Sequence, residues 1–97
     1  MRMHNPPHPG QVVREYLGNM PVSAAADHLR VTRVTMSRLL NGKAGISAKM
    51  ALRLAAALGT SPELWMNMQG EYDLWQESRR KQPRVERLDL AAIAAGD

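Results

Sequence analysis

Cysteine and phenylalanine are both missing from the 97 residues, and there are only two tryptophans and two tyrosines. Without cysteine there are no disulfides, thiol nucleophiles or thiolate metal sites, which fits a reducing compartment. No segment alternates apolar and polar residues for long, and alanine and leucine are common. Sheet is therefore disfavoured and helix favoured. No run approaches the roughly 20 apolar residues that a membrane span needs. The opening "MRMHNPPHPG" has no apolar stretch of the kind a secretory signal requires. A soluble, cytoplasmic, all-α chain with no membrane contact is expected. The length suits one small domain, and a hydrophobic content of 44% suits a modest core. Small domains often gain stability by pairing, so a homodimer is a natural expectation.

Catalytic and metal-binding patterns are also lacking. No GxxxxGK[ST] loop and no HExxH occurs. His4 and His8 are four residues apart, but Pro6 and Pro7 between them prevent the helical geometry of a ligand pair. Local capping is the better role for such a histidine, and His28 stands alone. Ser23, Asp27 and His28 share one short helix and cannot assemble a hydrolytic triad. Neither an enzyme, a cofactor nor a metal is expected.

Acidic residues are absent over one long stretch. From His28 to Pro62 there are six cations (Arg30, Arg33, Arg38, Lys43, Lys49, Arg53) and no Asp or Glu. From Glu63 to Ser78 the balance inverts, with Glu63, Glu71, Asp73 and Glu77 and no Lys or Arg. Within a net charge of +4, this segregation implies a basic face able to steer and hold a polyanion.

Punctuation and period predict five helices. The first covers Pro9 to Leu17, with proline in the first turn, a Val12, Val13, Tyr16, Leu17 stripe and Gly18 as the stop. The second covers Val22 to Leu29. The third covers Arg33 to Leu40, capped by Thr32 and ended by Asn41-Gly42. The fourth covers Ala48 to Leu58, between Ser47 and Gly59. The fifth opens at "TSPELW" and is expected to run to about Arg80. Trp65, Met68, Tyr72 and Trp75 recur along it at spacings of three and four, as a core stripe or a dimer seam. Beyond it, "KQPRVERLDLAAIAAGD" reads as a mobile tail or a partner-binding arm.

Residues 22–41 meet the steric needs of a helix-turn-helix. Ala25, Ala26 and Leu29 are small or apolar where the first helix touches the second. Val31 follows the turn, and Met36 and Leu39 answer from the second helix. With "NGK" at 41–43, the stretch resembles the helix-turn-helix of the phage-repressor-like (Xre, or Cro/C1) superfamily. "HPGQVVREYL", "RVTRVTMSRLLNGKAGIS" and "MALRLAAALGTSPELWMNMQGEYDL" narrow the resemblance to the HigA, or VapI-like, antitoxin family, over about Pro7 to Gln76. Two positions depart from the family pattern. Arg30 stands where the turn usually has glycine, and Pro21 where the second helix often has a serine or threonine cap.

The resemblance implies a five-helix, lambda-repressor-like domain, and the change of pattern after Arg80 bounds it at residues 1–80, with a tail over 81–97. It implies a homodimer that binds double-stranded operator DNA, represses its own operon and neutralises a RelE-like toxin that cleaves messenger RNA. The alternative is a stand-alone repressor of the same fold. In this superfamily the second helix of the motif enters the major groove. Base reading then falls to Arg33, Val34, Ser37 and Arg38, and phosphate contact to Arg30, Thr32, Asn41 and Lys43. Val34, apolar between two arginines, is expected to meet a thymine methyl. The acidic stretch 63–78 is a natural surface for a basic toxin, and the N-terminal segment is its rival.

Overall fold

The computed structural model describes residues 5–95, and among them are six helices and no strand. They are α1 (Pro9–Leu17), α2 (Val22–Leu29), α3 (Arg33–Leu40), α4 (Ala48–Leu58), α5 (Pro62–Ser78) and α6 (Leu90–Ala95). His4 lies outside the described residues. The first four helices have the bounds expected from the sequence. The fifth ends at Ser78, two residues short of expectation. There the N–H groups of Arg79 and Arg80 turn back to the carbonyls of Gln76 and Glu77, three residues earlier, which tightens and closes the last turn.

Side-chain caps explain most of the starts. The Thr32 hydroxyl accepts from the Thr35 N–H at 3.0 Å, Ser47 from Met50 at 3.2 Å and Ser61 from Leu64 at 3.1 Å. His8 caps α1, its Nδ1 accepting from the Gly10 N–H at 2.9 Å. Pro21 gives α2 no side-chain cap, so that helix begins with its first N–H groups uncovered by a cap.

α1 packs on α3 and α5, α2 packs on α3 and α4, and α4 packs along α5. Val13, Met36, Leu39, Leu54 and Trp65 are buried almost completely, with Ala25, Ala26, Leu29, Ile46, Met50 and Ala51 around them. The small residues Ala25 and Ala26 allow α2 and α3 to lie close, as a helix-turn-helix requires. α1 comes closer still to α3: a Cβ on Gly10 would stand 2.0 Å from the Leu39 carbonyl oxygen. Only glycine permits that backbone contact.

The stripe on α5 divides between two surroundings. Trp65 is fully buried, its Nε1 donating to the Thr60 hydroxyl at 2.7 Å, and Met68 packs against the core. Tyr72 and Trp75 are half-buried further along. Tyr72 meets His8 edge-on at 4.8 Å between centroids, and Arg79 lies 4.7 Å above Trp75.

Residues 79–92 are exposed, and from Leu90 the chain forms the short α6, a helix inside the segment that the sequence pattern marks as tail. Its signal is an Asp89 cap, whose Oδ1 accepts from the Ala92 N–H at 3.2 Å, before an alanine-rich run. The radius of gyration, 18.4 Å, far exceeds the roughly 13 Å of a compact chain of this size, so this segment projects from the helical body.

Candidate nucleic-acid interface

Burial of Met36, Leu39 and Leu40 fixes the rotation of α3. The opposite side of the helix therefore faces solvent. Arg33, Val34 and Arg38 are exposed there, with Ser37 half-buried between them. Val34 is 67% exposed, an apolar side chain held out on a polar surface. These four residues share one outward face, as the base-reading expectation requires.

The neighbouring groups are less free than their sequence suggests. Arg38 Nη2 donates to the Lys43 carbonyl at 3.0 Å and so braces the turn after α3. Asn41 uses both ends of its amide. Nδ2 donates to the Ser37 carbonyl at 2.9 Å and to the Ser37 hydroxyl at 3.2 Å, while Oδ1 accepts from Arg14 at 3.4 Å. Arg14 also donates to the Leu40 carbonyl at 3.2 Å, tying α1 to the end of α3. Thr32 is occupied as cap and is bonded to the Thr35 hydroxyl at 2.8 Å. Lys43 stands exposed on the turn.

Arg30 adopts the left-handed conformation, φ 59° and ψ 45°, and is the only non-glycine residue with positive φ among those described. The turn therefore has the usual geometry despite its unusual residue. Its backbone is well provided for. The Arg30 N–H donates to the Asp27 carbonyl at 3.2 Å, and Arg53 Nη1 donates to the carbonyls of Leu29 and Arg30. A guanidinium from α4 thus binds the end of α2, where the helix dipole favours positive charge.

Lys49 and Arg53 belong to the basic run of the sequence with no role evident there, and Thr35 and Arg14 carry no signal in the sequence. In the structure Lys49, Arg53, Thr35 and Ser47 line one cleft with Arg30 and Thr32, beside the start of α3. Cations 19 and 23 residues apart in the chain from Arg30 meet there because α2 packs on α4. Their shared sign was legible; their meeting was not. The result is a helix face with hydrogen-bonding and apolar groups at its centre and cations at its rim. Such an arrangement can enter a major groove while its margins neutralise phosphates.

The histidines are placed apart from this face. Burial lowers the His8 pKa below its ordinary value, and the Asp73 carboxylate partly opposes that shift. Its Nδ1 is committed to capping α1. Among the described residues no three His, Asp or Glu side chains gather as metal ligands. Nor is any described helix long and apolar enough to cross a membrane.

The fold and its helix-turn-helix have counterparts among known proteins. A family model described as a helix-turn-helix domain matches residues 11–65. The chain is 47% identical over 78 residues to virulence-associated protein A' of Dichelobacter nodosus, covering 77% of this chain and 68% of that protein. It is 43% identical over 70 residues to antitoxin HigA-1 of Vibrio cholerae, covering 70% of this chain and 66% of that one. An uncharacterized HTH-type transcriptional regulator of Escherichia coli is 38% identical over 76 residues, covering 76% of this chain and 81% of that protein. Among solved structures, an addiction module antidote protein of a HigA family from Coxiella burnetii superposes with a TM-score of 0.71 at 34% identity, over 84% of this chain and 100% of that one. The Pseudomonas aeruginosa antitoxin HigA, solved with the higBA promoter, superposes with a TM-score of 0.69 at 34% identity, over 82% of this chain and 99% of that one.

Proposed function

The chain belongs to the HigA, or VapI-like, family of helix-turn-helix proteins, and from that membership we propose that it is a type II antitoxin that also represses its own operon. The observation that carries this reading is the outward face of α3. It presents Arg33, Val34, Ser37 and Arg38 together, on a fold shared with an antitoxin solved on its promoter. The protein acts by binding and carries out no reaction, and its work on operator DNA lies in the cytoplasm.

In this reading residues 1–80 form the DNA-binding antitoxin domain and 81–97 a tail. α3 enters the major groove. Arg33 and Arg38 offer bidentate bonds to guanine O6 and N7, Ser37 reaches a base edge, and Val34 covers a thymine methyl. Arg30, Thr32, Asn41 and Lys43 face phosphates, joined by Lys49. Arg38 exchanges its bond to the Lys43 carbonyl for a base when DNA arrives. A homodimer sets two such helices about 34 Å apart and so prefers an inverted repeat. The toxin is a small basic RelE-like ribonuclease. It docks on the acidic α5, where Leu74 and Met66 stand exposed among Glu63, Glu71 and Glu77.

A titration on the DNA upstream of the gene, with scrambled DNA as control, tests the interface. Arg38→Ala should lose about 1–3 kcal/mol on the operator and relax preference at one base pair. Lys43→Ala should weaken both DNAs alike and flatten the salt dependence. Parental binding by both variants would refute this placement. The antitoxin role is tested by searching beside the gene for a reading frame that encodes a small basic protein and co-expressing its product. Failure to rescue growth, with operator binding intact, would favour a stand-alone repressor, the reading that similarity to the Escherichia coli regulator supports.

A further inference from the structure

We propose that Gln69, on α5 and outside the helix-turn-helix, is a positioning residue for DNA binding: with Asp73 it holds the loop that presents Lys43 to a phosphate. The proposal rests on the DNA-binding reading above and concerns a part of the protein to which that reading gives no role in DNA contact.

Gln69 is the one buried polar side chain among the described residues. Its Oε1 accepts from the Ile46 N–H at 2.7 Å, and its Nε2 donates to Asp73 Oδ1 at 2.9 Å. The loop backbone lies against this amide so closely that a Cβ on Gly45 would stand 2.8 Å from Nε2. Glycine at 45 is therefore part of the same arrangement. Ile46 itself is buried, and Ser47 beside it caps α4. The loop 41–47 is thus pinned at both ends. At its start Arg14 binds the Leu40 carbonyl, and in the free protein Arg38 binds the Lys43 carbonyl. At its finish the only side chain among the described residues bonded to its backbone is Gln69 from α5.

The chemistry of the pair explains why each residue is what it is. An amide has a donor end and an acceptor end, and a backbone N–H needs the acceptor. A carboxylate accepts only, so Asp73 draws Nε2 toward itself and leaves Oε1 facing Ile46. Glutamate at 69 would set two carboxylates together and bury one of them. Asp73 is exposed, so its effect on the loop passes through Gln69.

The test uses the full chain with Asp73→Ala, Gln69→Leu and, for comparison, Lys43→Ala. The first readout is hydrogen exchange at the Ile46 amide in the free protein, which does not depend on DNA. It should accelerate severalfold in Asp73→Ala and further in Gln69→Leu, while amides of the α2 core stay protected. The second is operator binding across a salt series, well below each variant's melting temperature. Both variants should bind about two- to tenfold more weakly, the range of one lost hydrogen bond. Their salt slope should be shallower by about 0.9, as in Lys43→Ala, because a phosphate contact is lost. Adding Asp73→Ala to Lys43→Ala should cost less than the two losses combined. A merely stabilising role would lower the melting temperature and leave affinity and slope unchanged, and that result overturns the proposal. So does full additivity with Lys43→Ala, or an Ile46 amide as protected as the parent's in both variants. A parent that binds no upstream DNA overturns the DNA-binding reading and this proposal with it. That outcome is told apart by Ile46 exchange that still responds to the substitutions.

Discussion

Replacing Arg30 by glycine should make the protein more stable and a poorer DNA binder at once. Arg30 sits at φ 59°, ψ 45°, where an L-residue bears roughly 1–2 kcal/mol of strain. Glycine escapes that strain but loses about 0.5–1 kcal/mol through the greater freedom of its unfolded chain. The difference, about 0–1.5 kcal/mol, favours Arg30→Gly, a rise of up to about 12 °C in melting temperature for a domain of this size. The backbone bonds of the turn are unaffected, because Arg53 holds the carbonyls of Leu29 and Arg30 whatever side chain stands there. Arg30→Ala is the necessary control. It keeps the left-handed strain and removes the guanidinium, so its stability should stay within about 0.5 kcal/mol of the parent. On operator DNA the two variants should behave alike, each losing about 0.9 of salt slope for every phosphate contact that Arg30 made. Thermal melts and salt-dependent titrations of the three proteins separate the terms. If glycine melts no higher than alanine, the strain argument fails. If both bind with the parental slope, Arg30 meets no phosphate.

Three further outcomes follow from the same structure. Val34→Ser should abolish preference for one T·A pair while total affinity falls little, and binding-site selection with unchanged preference would remove the methyl contact. For His8, burial lowers the folded pKa below the ordinary 6.5, so between these two values the unfolded chain binds a proton that the folded chain refuses. Stability should therefore fall as pH drops through about 6.5 and level off below the folded pKa. His8→Asn keeps an acceptor for the Gly10 N–H and should flatten that fall; melting curves across pH that match the parent's would assign it elsewhere. Leu54→Ala empties a fully buried site and should cost about 2–5 kcal/mol in urea unfolding. A loss under about 1 kcal/mol would mean that the site does not belong to a close-packed core.

Much was legible from the chain itself because it depends on neighbours within one helical turn. Thr32, Ser47 and Ser61 mark helix starts, since a cap reaches only two or three residues ahead. Met36, Leu39 and Leu40 set the rotation of α3, so the outward position of Arg33, Val34, Ser37 and Arg38 followed from period alone. The small residues Ala25 and Ala26 announced a close helix pair. The Asp89 cap of α6 was equally local, but a six-residue helix leaves too short a period to read. Tertiary structure alone decided which distant group answers which backbone. Arg53 reaches the carbonyl of Arg30, Arg14 reaches Leu40, and Gln69 reaches Ile46, each across more than 20 residues. It also divided the α5 stripe, sending Trp65 into the core and Tyr72 toward His8. A cap is a contact along the chain, which residue order records. A brace between helices depends on how they cross, and that crossing is set by the packing of all the helices together.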